Sequence, residues 1–147
     1  MSQLIPSRCL LAVQTVVFIA FHSQQGEPVK SSRIIERYHL NKRALEPILQ
    51  VLSRAEIVES KQGASGGYMI AHPDTTSLAD VAALFIDAPK KENLCFTDWQ
   101  PALMPVLEKA HNKALEELNK IYLSDITVLG KKYGGALEDE APLDYII

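Results

Sequence analysis

Lys42, Arg43, Glu46 and Gln50 fall on the polar side of one short segment, and Lys61, Gln62 and Ser65 follow it closely. Their chemistry is recognition by charge and hydrogen bonding. Lys42 and Arg43 can reach a phosphate oxygen or a guanine edge. A carboxylate near phosphates is repelled, so Glu46 suits such a surface only by accepting from a cytosine amino group or by vetoing other sequences. The same residues have a plainer reading: Lys42 and Arg43 as solvated charges on an exposed first turn, and Glu46 in an intrahelical pair with Arg43 or Gln50. Gln50, one turn further along, is open to both. No nucleophile, base and acid stand together in a catalytic pattern, so an enzyme is not expected.

The elements that must position these residues are legible from spacing. Ala44, Leu45, Ile48, Leu49 and Leu52 recur at three- and four-residue steps and predict one buried helical stripe, with Asn41 as N-cap. Pro47 lies past the first turn, where it removes a backbone hydrogen bond, yet the apolar spacing continues across it. Ile57–Ser60 and Tyr68–Ile70 then read as antiparallel strands around a loop containing Gly63, Gly66 and Gly67, which shape the turn. A helix followed by a glycine-hinged hairpin is the order a winged helix-turn-helix uses, the helix for the major groove and the wing beside it. Lys61, Gln62 and Ser65 on that wing suit backbone or minor-groove contacts.

Upstream, Ser7–Ser23 reads as a helix apolar on nearly all sides, suited to a domain centre or a subunit interface. A short helix follows from about Ser32 to Tyr38, with a serine available as cap, Ile34 and Ile35 facing inward, and Arg33 and Arg37 placed for phosphates or as ordinary surface charges. Downstream, Ser77–Asp80 reads as a capping box opening a helix through Ile86. A long helix runs from near Pro101 to about Tyr122. Its seam of Leu103, Leu107, Ala110, Ala114, Leu118 and Ile121 needs a partner, and a second copy of the chain is the simplest. Ser124 is the expected cap of a last helix, Asp125 to Lys132. The division expected is a winged helix-turn-helix over 1–88, a loop over 89–98, a dimerisation helix with a short terminal helix over 99–133, and an acidic mobile tail over 134–147.

A hydrophobic content of 47% with only 7 Gly and 8 Pro indicates a globular chain. The net charge of −3 hides a split. Residues 1–68 hold 8 Lys and Arg against 5 Asp and Glu, a balance of +3, whereas residues 69–147 hold 7 against 13, a balance of −6. Phosphate binding needs local cations and not a basic whole. The apolar stretch from Cys9 to Phe21 is too short to span a bilayer and lacks a cleavage signal after it. Cys9 and Cys95 make no disulfide framework, which points to a reducing cytoplasm. Cys9 belongs to an apolar helix core. Cys95, beside Phe96 and Trp99, reads either as a redox-active sensor thiol or as a buried structural cysteine. The four histidines show no metal-ligand spacing, so no metal is expected.

With these pieces in order, the chain resembles the Rrf2 family of bacterial winged helix-turn-helix regulators, which includes the iron–sulfur cluster regulator and the cysteine-metabolism regulator. Arg43 to Leu49, Leu52 to Val58 and the wing Gly63-Ala64-Ser65-Gly66-Gly67-Tyr68 carry the resemblance, which extends over roughly residues 5–133. It implies a mostly α fold with a small β-wing and a long C-terminal dimerisation helix. It also implies a homodimeric repressor bound to double-stranded DNA at a two-fold-related site. Cluster-binding members carry three cysteines in the loop before the long helix. Only Cys95 stands there in this chain, so no iron–sulfur cluster is expected. A sensor using Asp98, Glu108 or His111 as non-cysteine ligands and an interaction module that has lost DNA binding are the alternatives.

Overall fold

A computed structural model of the chain describes residues 5–23, 26–88, 90 and 97–132. Most of the 89–98 loop, with Cys95, and the whole 134–147 tail lie outside the described residues. The order of elements is α1 (Ser7–His22), α2 (Ser31–Tyr38), α3 (Lys42–Arg54), β1 (Val58–Lys61), β2 (Gly67–Ile70), α4 (Leu78–Ala83), α5 (Gln100–Leu118) and α6 (Ile126–Lys132). Short 3-10 turns precede α5 and α6. This is a mostly helical winged helix-turn-helix with a two-stranded wing and a long C-terminal helix.

The all-round apolar character of α1 puts it at the centre, where it buries Cys9, Ala12, Thr15, Val16, Phe18, Ile19 and Ala20. Thr15 is affordable there because its hydroxyl donates to the Leu11 carbonyl at 2.8 Å. α3, α4, β2 and α6 all pack on α1. α3 contributes Leu45, Ile48, Leu49 and Leu52 to this core, but Ala44 is exposed, contrary to the buried stripe expected of it. The stripe is one residue narrower because that flank of the helix opens on a groove beside α1.

Both ends of α3 are fixed locally. The Asn41 side chain accepts from the Arg43 N–H at 2.8 Å. At the other end Ile57 N–H donates to the Leu52 carbonyl at 3.0 Å and Glu56 N–H to Ser53 at 3.1 Å, a Schellman closure with buried Leu52 and Ile57 in register. It places a non-glycine residue, Glu56, in the left-handed region at φ 58°. α2 ends on another, His39 at φ 49°. The expected serine cap on α2 is not made: the helix starts at Ser31, and Lys30 at the cap position supplies no side-chain hydrogen bond.

In the wing, Val58 pairs with Ile70, Glu59 with Met69, Ser60 with Tyr68 and Lys61 with Gly67, one residue further towards the tip than expected. A bridge not anticipated from sequence adds to it. Val29, ahead of α2, exchanges both backbone hydrogen bonds with Tyr68 at 2.8 Å each. Gly67 allows that approach, since a Cβ there would stand 2.6 Å from the Val29 carbonyl carbon and oxygen.

The C-terminal half departs from expectation at its ends. The Ser77–Asp80 capping box forms, but α4 stops at Ala83, short of Ile86. It tightens into i→i+3 bonds, Leu84 N–H to Val81 and Phe85 N–H to Ala82, ahead of the helix-breaking Ala88-Pro89. α5 ends at Leu118 and not near Tyr122, because the Ile121 carbonyl accepts from Leu78 N–H at 2.9 Å and Tyr122 bridges to Ser77. Ser124 is no cap. Its N–H donates to the Pro73 carbonyl, Asp125 receives the Tyr122 N–H at 3.3 Å, and α6 begins at Ile126. Among the described residues no helix is long and apolar enough to cross a membrane.

The close approach at Gly67 predicts the effect of filling it. Gly67→Ala should cost about 1–3 kcal/mol by overpacking, read in urea unfolding, and should speed hydrogen exchange at the Tyr68 amide. Unchanged stability and exchange would mean that the Val29–Tyr68 bridge does not hold the wing.

Candidate nucleic-acid interface

The face of α3 opposite its buried stripe carries Lys42, Arg43, Glu46, Gln50 and Arg54, all exposed. Lys42 and Glu46 meet at 3.4 Å with side chains 73% and 54% exposed, so the partner of Glu46 is Lys42, not Arg43 or Gln50. Lys42 and Gln50 both stand four residues from Glu46, and of the two only Lys42 carries a charge. A pair this exposed is worth roughly 0–1 kcal/mol and opens readily to a competing anion. Among the described residues the Arg43 guanidinium has no carboxylate partner.

On the wing, Lys61, Gln62 and Ser65 are exposed towards the tip. Lys61 donates to Glu59 at 2.8 Å. That hydrogen bond, with the charge of Lys61, holds the Glu59 carboxyl below the usual carboxylate range. A depressed acid stays ionised through neutrality, so the pair persists at neutral pH and dissolves only as pH falls through the lowered value. The three wing glycines have three different reasons for being glycine. Gly63 sits at φ 108° in open space, a Cβ on Gly66 would come 2.3 Å from the Lys61 carbonyl oxygen, and Gly67 faces Val29. Tyr68 is partly buried against the core.

Arg33 is partly buried with its guanidinium 5.9 Å from the Phe18 ring centre, which fixes its stem to the core. Three neighbours escaped the sequence reading. Lys30 precedes α2 and Ser31 and Ser32 open it; the Arg33 N–H donates to the Lys30 carbonyl at 3.1 Å, and Lys30 makes no side-chain cap to the N–H groups ahead of it. The run Lys-Ser-Ser was the signal, but a serine there reads first as a cap. Arg8 was also missed; it rises from α1 beside Arg43 and lies 5.9 Å from the Phe85 ring centre.

The seam of α5 divides in the structure. Leu103 is 43% and Leu107 39% exposed, and Ala110 and Ala114 are exposed, whereas Leu118 and Ile121 pack on the core of their own chain. Ile121 is beyond the helix end. Met104, which the spacing did not single out, is the buried residue of α5. Trp99 and Val106 extend the uncovered apolar surface at 64% and 63% exposure. Cys9 is buried at 1% exposure, and burial raises its thiol pKa. Asp98 and Glu108 are exposed, and neither joins His111 in a potential metal-binding group among the described residues. Cys95 lies outside them.

Comparison with known proteins agrees with this architecture. The model of a family described as "Rrf2: Iron-dependent Transcriptional regulator" matches residues 5–128. The chain is 37% identical over 60 residues to a protein of Rhodopseudomonas palustris bearing the name HTH-type transcriptional regulator BadM, a match covering 40% of this chain and 38% of that one. It is 28% identical over 122 residues to the HTH-type transcriptional regulator slr0846 of Synechocystis, covering 78% of this chain and 81% of that one. Among solved structures, T. potens IscR superposes with a TM-score of 0.71 at 26% identity, covering 90% of this chain and 92% of that one.

Proposed function

Because the chain belongs to the Rrf2 family of transcriptional regulators, we propose that it binds operator DNA as a homodimeric repressor and does so without an iron–sulfur cluster. The observation that carries the DNA reading is the pairing of an exposed polar α3 face with a wing tied alongside it by the Val29–Tyr68 bridge. α3 enters the major groove. Lys42 and Arg43 take phosphate or guanine, and Glu46 and Gln50 read base edges. Lys61, Gln62 and Ser65 follow the backbone from the wing, while Lys30, Ser31, Ser32 and Arg33 offer the start of α2 to a phosphate.

The homodimer reading rests on the uncovered apolar surface of α5 at Trp99, Leu103, Val106 and Leu107. Exposed apolar surface of this kind marks an interaction site. The cluster-free reading rests on the donor set. The chain has 2 cysteines, and one of them, Cys9, is locked in the core of α1 with its thiol disfavoured as thiolate. A cluster held by cysteine thiolates needs more donors than Cys95 supplies. A repressor follows most simply from a dimer that occupies promoter DNA, and its sign is read by whether target transcripts rise when the gene is deleted.

Three outcomes test these readings. Selected genomic duplexes should bind with an affinity that falls steeply with salt, and Lys42→Ala with Arg43→Ala should weaken binding by more than about tenfold. A flat salt response would leave the chain as an interaction module. Glu59→Gln should strengthen binding about two- to fivefold, because it removes a charge that both repels phosphate and occupies Lys61. Protein purified without oxygen should sediment as a dimer with substoichiometric iron, and Leu107→Asp should shift it towards monomer; a coloured, iron-loaded protein would overturn the cluster-free reading.

A further inference from the structure

We propose that the groove between the first turns of α1 and α3 binds a small organic anion, a carboxylate or phosphate carried on an apolar body. The groove is a solvent-open depression of about 510 Å³ lined by Ser7, Arg8, Leu11, Arg43, Ala44 and Pro47. That volume is in the range of small-molecule sites.

Its walls differ in chemistry. Leu11, Ala44 and Pro47 make an apolar floor, and Ala44 and Pro47 are exposed although they sit on the helix that fills the core one face away. The lining also holds two cationic residues, Arg8 from α1 and Arg43 from α3. Among the described residues neither is paired with a carboxylate. The Arg8 guanidinium lies 5.9 Å from the Phe85 ring centre, an aromatic contact that consumes none of its N–H donors. Two cationic residues beside exposed carbon are matched by a ligand with one anionic end and an apolar remainder. A DNA phosphate would use the cations and leave the floor uncovered, so the free small molecule is the better complement.

The consequence for regulation rests on the proposed role of Arg43 at the duplex. An anion seated between Arg8 and Arg43 takes that guanidinium from the DNA backbone and adds negative charge at the start of α3, so occupied protein releases its operator. Binding and release are linked reciprocally: DNA weakens the anion by the same factor.

The binding arm needs no DNA. Full-length protein is titrated with sodium hexanoate and followed at the backbone amides of Arg8, Arg43 and Ala44, with 1-hexanol and inorganic phosphate as comparison probes. Saturable hexanoate binding about tenfold tighter than either comparison is expected, weakened about tenfold by Arg8→Ala and largely kept by Arg8→Lys. Circular dichroism verifies that Arg8→Ala is folded. No saturable binding, hexanol as tight as hexanoate, or indifference to Arg8→Ala overturns the site. Phosphate as tight as hexanoate overturns the small-molecule ligand and leaves a backbone-phosphate contact. In the second arm hexanoate should lower duplex affinity severalfold in the wild type but not in Arg8→Ala. Hexanoate binding with unchanged duplex affinity removes the regulatory half, whereas absence of any duplex binding speaks against the DNA reading and leaves the first arm intact.

Discussion

The two backbone hydrogen bonds between Val29 and Tyr68 are the constraint on which the reading surface depends. A two-stranded hairpin alone is marginal in water. Here the hairpin gains a third strand position from the residue just ahead of α2, and partly buried Tyr68 packs on the core from the same point. The wing is therefore placed by the helix-turn-helix and not by its own turn. Gly67 makes this possible by having no side chain where Val29 passes. Lys61, Gln62 and Ser65 then project from an anchored base, at a distance from α3 that the core sets.

α3 is aimed by comparable means. Asn41 closes its first turn, Glu56 turns the chain out of its last, and His39 reverses the chain just before it. Two non-glycine residues in the left-handed region cost of the order of 1–2 kcal/mol each, a strain accepted on both sides of one helix. With Leu45, Ile48, Leu49 and Leu52 buried, the rotation of the helix is fixed and its charged face has one orientation. One cation on that face and one on the wing rest against carboxylates of their own chain, Lys42 on Glu46 and Lys61 on Glu59. These exposed pairs keep the surface mixed in sign yet yield easily, so they cost a phosphate little to displace.

What was legible in the sequence was local. Helical spacing, the Asn41 cap, the Ser77–Asp80 box and the glycine-rich hairpin are each specified within a few residues, and the structure has them. What was not legible depends on partners distant in sequence. Val29 reads as an ordinary loop residue until Tyr68 arrives beside it. Ala44 fits the helical stripe, yet the α1 side of that stripe holds a groove. The spacing of α5 runs on past Leu118, but Leu78 claims the Ile121 carbonyl and turns the chain away. Among the residues proposed for the interface, side-chain type pointed to Lys42, Arg43 and Lys61, while the position of Arg8 beside Arg43 and the uncapped start of α2 appear only when separate helices are set side by side.

The same turn fixes the C-terminal end of α5. Ser77 is fully buried, donates its hydroxyl to Asn119 Oδ1 at 2.9 Å and is held by Asp80, while Leu123 N–H reaches the Thr76 carbonyl at 3.0 Å. Sliding the C-terminal end of α5 on α4 would strand these groups, and a buried polar group left unpaired costs roughly 1–3 kcal/mol. That end of α5 is thus part of the DNA-facing body. Its first half is different, with Met104 turned inward and Trp99, Leu103, Val106 and Leu107 uncovered. In the homodimer proposed above, the partner would seat on this half, against a body in which α3 and β1 are packed together.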